Sequence, residues 1–143
     1  MTGIRRKARI IALQVLYEID CSSHDPESVI SRYIQEKVLP VETLDFVREL
    51  TTGVMQRKGE IDTIIQRFAP LFPLKQIAAI DRNILRIAIY ESVFNNTVPV
   101  KATINEAVEM AKSFGSDTSS KFINGVLGSV IADCTVIESG KSK

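Results

Sequence analysis

The stretch LKQIAAIDRNILRIAIYESVF, Leu74 to Phe94, decides the fold. Drawn as a helix, it places Ile77, Ile80, Ile84, Leu85, Ile87, Ala88, Ile89 and Val93 on most faces of the cylinder. A helix that is apolar nearly all round has to be enclosed by others. The pattern therefore predicts a central helix over about 74–94 with companions on several sides.

Those companions are legible on either side of it. Toward the N-terminus, Ala8, Ile11, Ala12, Val15, Leu16 and Ile19 recur at steps of three and four, the stripe of an amphipathic helix. SSHDP ends that helix, and Pro26 can open the next at its first position. The second helix runs to about Val38 and is expected to bury Val29, Ile30, Tyr33 and Ile34. After Pro40 a third helix covers about Glu42 to Gln56, and a fourth about Gly59 to Phe68. APLFPL, Ala69 to Leu74, then holds two prolines, which remove helical donors and restrict their predecessors. This stretch is the expected boundary between an N-terminal half, about 4–69, and a C-terminal half, about 74–133.

Beyond the NNTVPV loop, Thr103 and Glu106 have the spacing of a capping box. Ile104, Ala107, Val108 and Ala111 continue as the stripe of a sixth helix, with Gly115 placed to end it. Asp117 is the expected cap of a seventh, in which Ile123, Val126, Leu127, Val130 and Ile131 face inward. Phe114 reads as core, and 134–143 as a flexible tail. No alternation argues for a sheet, and there is no internal repeat or coiled-coil heptad. The reading is all-α, with about seven helices.

The bulk numbers fit one compact chain. Of 143 residues, 45% are apolar, enough for a packed core. The 18 basic and 17 acidic side chains leave a net charge of +1, so any nucleic-acid surface must arise from local clustering. Cys21, Cys134 and the single His24 lack metal-ligand spacing, and the expectation is no metal and no cofactor. No signal-like run and no stretch of 18 apolar residues occurs, so a soluble cytoplasmic protein with free thiols is expected. There is no phosphate-binding glycine loop, nucleophile elbow or serine triad. Glu106 and Glu109 read as a cap and a solvated face. Nothing in the residues argues for catalysis.

Two features exceed a generic helical domain. In IRRKAR, Arg5, Arg6, Lys7 and Arg9 place four cations in five residues, with no acid before Glu18. Cations at a helix N-terminus oppose the macrodipole, so the run suits phosphate contact or a solubilising terminus better than helix design. The same helix carries a second apolar row, Ile10, Leu13 and Tyr17, to be buried or left for a partner. The second feature is KSFGSDTSSKFINGVLG, Lys112 to Gly128. Phe122 lies roughly 100° from the inward stripe of its helix. Gly125 and Gly128 sit in the helix interior, where each costs about 1 kcal/mol relative to alanine. Either Phe122 widens the stripe and the glycines permit close helix packing, or Lys121, Phe122 and bare backbone form a shelf for a base and a phosphate.

The blocks RRKARIIALQVLYE (Arg5 to Glu18), ILRIAIYE (Ile84 to Glu91), VPVKATINEAVEMAKSFG (Val98 to Gly115) and KFINGVLG (Lys121 to Gly128) together resemble the NusB family of transcription antitermination factors. The similarity runs from about Ile4 to Ile131, and the order and spacing of the four blocks make it specific. The resemblance implies two three-helix-bundle-like halves and a non-enzymatic RNA-binding role. It implies pairing with NusE, a protein of the small ribosomal subunit, on single-stranded boxA RNA. The complex would act with RNA polymerase in ribosomal RNA operons. Carried over by position, Arg5, Arg6, Arg9, Lys121 and Phe122 would face RNA, and Tyr17 and Asp81 would meet NusE. The chain departs from the family in Ser116 to Ser120: Thr118 stands where an acid is frequent, and Asp117 precedes it. Two other readings remain open here. One is an accessory domain for a separate RNA-modifying enzyme, since NusB-like domains also occur fused to RNA cytosine methyltransferases. The other is a structural homodimer.

Overall fold

The computed structural model describes residues 3–36, 38–95 and 98–133. Cys134, read as a free thiol, and the expected flexible tail lie outside the described residues. Seven α-helices follow in order: α1 Gly3–Cys21, α2 Pro26–Glu36, α3 Val41–Gln56, α4 Lys58–Phe68, α5 Ala79–Ile89, α6 Val100–Phe114 and α7 Ser119–Ala132. There is no strand among the described residues.

Helix α5 is central as expected, with Ile84, Leu85, Ile87, Ala88 and Ile89 all buried. Each of the isoleucine and leucine side chains contributes on the order of 1.5–3 kcal/mol relative to exposure. It packs on α1, α4, α6 and α7. The expected single helix over 74–94 is instead three pieces. Leu74–Gln76 form a 3-10 turn, Ile77 and Ala78 are extended, and Tyr90–Asn95 widen into a π-helical turn. The break at 77–78 is held by Arg82, whose Nη1 donates to the carbonyls of Leu74 (3.1 Å) and Ile77 (2.7 Å).

The larger core draws on both sides of the proline stretch. Ala12, Leu13 and Leu16 of α1, Leu50 and Val54 of α3 and Ile61 and Ile65 of α4 join α5, α6 and α7. A smaller core gathers Ala8, Ile11 and Val15 of α1 with Val29 and Ile30 of α2 and Val47 of α3. Helix α1 thus serves two cores, which explains why one apolar stripe was not enough. Leu13 is buried, Ile10 half-buried, and Tyr17 is left outside at 41% exposure. Helix α2 is shorter than expected, and its Tyr33 and Ile34 are only half-buried. Val38 is fully exposed.

Three local expectations fail at the ends of α6 and α7. Helix α6 starts directly after Pro99, so Thr103 lies in its interior and Glu106 caps nothing. The Thr103 hydroxyl donates to the Pro99 carbonyl (3.4 Å), and Glu106 is drawn into an ion pair with α1. Asp117 is exposed and Thr118 takes the cap position of α7 without a side-chain bond. The turn is tied instead by Ser119, whose Oγ accepts from the Ser116 N–H (2.9 Å). Phe114, read as core, is 41% exposed. Gly115 does end α6, with an ordinary φ of −94°. Its need for glycine is steric: an added Cβ would meet the Ser119 side chain and lie 2.8 Å from the Ala111 carbonyl oxygen.

A polar junction ties α1, α4 and α5. Asp20 Oδ2 accepts from Arg82 Nε (2.8 Å), Asn83 Nδ2 (3.0 Å) and Arg86 Nη1 (3.2 Å). Arg86 also holds Asp62 through two bonds of 2.8 and 3.0 Å. Burial pushes the Asp20 carboxyl up. The bond from Arg82, the charge of Arg86 and the bond from Asn83 outweigh it, so Asp20 titrates below its ordinary range.

Candidate nucleic-acid interface and partner groove

The basic run of α1 carries no acid in its first turn, and Arg6 and Arg9 find acids elsewhere in the chain. Arg9 is buried to 1%. Its Nε and Nη2 reach the two oxygens of Glu91, in the π turn, at 2.7 and 2.8 Å. Arg6 grips Glu106 of α6 with bonds of 3.1 and 2.7 Å while its side chain stays 60% exposed. Arg9 Nη1 lies 3.8 Å from Glu106, so the four groups form a continuous ladder of alternating charge. The bond from Arg6, opposed by burial and helped by the charges of Arg6 and Arg9, holds the Glu106 carboxyl below its usual range. The guanidinium of Arg5 lies 4.9 Å from the Phe46 ring centre, and that of Arg9 5.9 Å from the same ring.

The structure therefore separates residues that the sequence treats as one run. Arg9 is an interior strut and does not present its charge to solvent. Arg6 and Lys7 are exposed, and Arg5 is half-buried. Glu91, Glu106 and Phe46 are the partners that sequence reasoning missed. The available signal was Glu91 itself, an acid inside the apolar run from Ile77 to Val93.

The expected shelf lies on α7, which packs on α4, α5 and α6. Lys121 is exposed, and Phe122 is half-buried against the larger core. Its ring meets Phe72 edge to face, 6.1 Å between centres at 87°. A Cβ added at Gly125 or Gly128 would have no atom within 4 Å. The glycines do not serve helix packing; they leave bare backbone facing open space.

At the other end of α1, Leu13, Tyr17, Tyr33, Ile80 and Phe114 line an open groove of about 600 Å³. Glu18 on its rim binds His24 (3.0 Å) and Arg32, and those two bonds hold its carboxyl below the usual range. Asp81 follows Ile80 at the start of α5. It is 8% exposed, and its Oδ1 has no hydrogen-bond partner among the described residues. A buried carboxylate oxygen left bare is costly within one chain.

The chain was compared with known families and structures. The model of the NusB family matches residues 6–132. The chain belongs to the NusB family. It is 50% identical over 130 residues to the transcription antitermination protein NusB of Dehalococcoides mccartyi (strain CBDB1), covering 91% of each chain. Among solved structures it is similar to T. maritima NusB, with a TM-score of 0.82, 30% identity and coverage of 93% of this chain and 94% of that one. A chain from a crystal structure of the antitermination factors NusB and NusE in complex with dsRNA shares the fold at a TM-score of 0.84 and 24% identity, over 92% of this chain and 98% of that one.

The NusB-family match runs from Arg6 to Ala132 and so spans the shelf and the groove. No group of three metal-ligating side chains occurs among the described residues, and none of the described helices is long and apolar enough to cross a membrane.

Proposed function

We propose that this NusB-family chain is an RNA-binding transcription antitermination factor that works with NusE on boxA RNA. The kinship with an antitermination protein over nine-tenths of both chains carries the reading. A relative of the same fold sits in a complex with NusE and dsRNA. In this chain Arg5, Arg6, Lys121 and Phe122 are the RNA-facing residues. Arg9 acts indirectly, by fixing α1 through Glu91 so that its neighbours point outward. Stacking on the Phe122 ring requires an unpaired base, which favours single-stranded over duplex RNA. Tyr17, exposed in the groove, and Asp81, beside Ile80 at the start of α5, form the NusE contact, with the aromatic side chain as anchor. The complex would then act with RNA polymerase in ribosomal RNA operons, the setting the family resemblance implies.

The test is a titration of labelled single-stranded boxA-type RNA, a scrambled strand and a duplex, each with and without NusE at fixed salt. Sequence-dependent binding of the single strand that tightens with NusE is expected. Tyr17→Ala should abolish the tightening by NusE while leaving binding of RNA alone unchanged. Equal binding of all three RNAs, indifferent to NusE, would refute the proposal. A mass of twice the chain at working concentration, with the groove closed to NusE, would replace it with the homodimer.

A further inference from the structure

Phe72 has no role in the functions considered so far, yet the chain holds it in an uncommon position. It lies in the loop between α4 and the 3-10 turn, flanked by Pro70 and Pro73. An aromatic side chain in a short loop would ordinarily fold onto the core. This one is 47% exposed, beside Leu71 at 87%. The exposure does not come from slack in the loop. Gln66 of α4 clamps it from three directions: Nε2 donates to the carbonyls of Ala69 (3.3 Å) and Phe72 (2.6 Å), and Oε1 accepts from the Leu74 N–H (2.8 Å). The Phe72 N–H donates in turn to the Ala69 carbonyl (3.3 Å). Two prolines and four hydrogen bonds hold the ring in water.

Its one ring neighbour is Phe122. An edge-to-face pair covers a single ring face and leaves the rest for other contacts. The two chain segments that carry the rings are basic. Between Asp62 and Asp81 the chain carries Arg67 and Lys75 and no acid, and between Asp117 and Asp133 it carries Lys121 and no acid. Arg67 is engaged by Asp133 at 2.8 Å, whereas Lys75 and Lys121 are exposed. Rigid aromatic rings on segments that also carry exposed lysines are what single-stranded nucleic acid uses: bases stack and phosphates meet lysines.

We infer that Phe72 is a second stacking ring, and that Phe72 and Phe122 together form a two-ring platform for successive unpaired bases of the RNA. This rests on the reading of Lys121 and Phe122 as RNA-facing and adds a residue to it. Gln66 is then a positioning residue, fixing the loop so that the ring is pre-organised before RNA arrives.

The chain contains no tryptophan, so Phe72→Trp creates a single reporter in the full-length protein. Titration with unlabelled single-stranded boxA-type RNA should quench its fluorescence saturably. The midpoint should match the one that labelled RNA shows with the unaltered protein. Phe72→Ala should bind the same RNA about tenfold more weakly at unchanged salt slope, because a stacked base and no phosphate contact is lost. Its melting temperature reports whether the fold is kept, and the tryptophan signal needs no truncation. Unaltered affinity in Phe72→Ala together with an unquenched Phe72→Trp would overturn the second ring alone, provided Phe122→Ala still weakens binding. Absence of RNA binding by the unaltered protein would overturn both.

Discussion

The basic end of α1 and the aromatic shelf of α7 were expected to do the same work, and they are built in opposite ways. At the α1 end, two acids from distant segments pair with Arg6 and Arg9, and Arg9 is sealed inside. At the shelf, Lys121 is exposed, the rings are half-exposed, and the glycine backbone beyond them meets nothing. A run of like charge in a sequence can therefore be divided in space: Arg9 and its acid partners fix α1 against α6 and the π turn, while exposed cations stay outward.

Breaking the ladder should have the largest effect. Glu91→Ala leaves the Arg9 charge buried without its main partner, and destabilisation of about 3–5 kcal/mol is expected in chemical denaturation. A loss near that of a surface ion pair, under about 1 kcal/mol, would mean Arg9 reaches solvent and is free for RNA after all. Next, salt dependence separates the two regions. Lys121→Ala should lower the slope of log affinity against log salt by about one, as one phosphate contact goes. Arg9→Gln should leave that slope unchanged in whatever fraction stays folded.

Acid sharpens the comparison further. The Glu106 carboxyl sits below its ordinary range in the folded chain. It therefore stabilises the fold fully above the pH where free carboxyls titrate, and the contribution is lost as pH falls through the folded value. Asp20 behaves likewise. Denaturation series from neutral pH downward should show stability falling in that acid window. Glu106→Gln should flatten the part due to the ladder and keep the part due to Asp20. The smallest effect belongs to the shelf. Gly125→Ala should stabilise the fold by up to about 1 kcal/mol, since the new methyl has room and alanine favours helix. If RNA approaches the bare backbone there, the same change should weaken RNA binding, which separates space kept for a ligand from space left by chance.

Much of this was legible in the sequence. The apolar run from Ile77 to Val93 marked the central segment, and the threefold and fourfold spacing in α1 and α7 marked their buried faces, because a helix reports its environment through local periodicity. Periodicity left the row of Ile10, Leu13 and Tyr17 open, and only the family resemblance pointed the Tyr17 end outward. What failed were statements depending on a distant partner. The Thr103–Glu106 pair has capping-box spacing, yet Glu106 bonds Arg6 across 100 residues of chain. Phe72 looked like boundary sequence between two prolines, because nothing local reveals that Gln66 pins the loop or that Phe122 stands beside it.

By itself the sequence determined an all-α chain, the order of its helices, the buried residues of most of them and the family to which it belongs. Those properties follow from short-range spacing and from blocks that survive as text. Only the tertiary structure decided which cations are interior and which are outward, that α1 feeds two cores, and that two phenylalanines fifty residues apart share an edge. The physical reason is that charge pairing, burial and ring contact are set by distances in space, and residues far apart in the chain acquire those distances only when it folds.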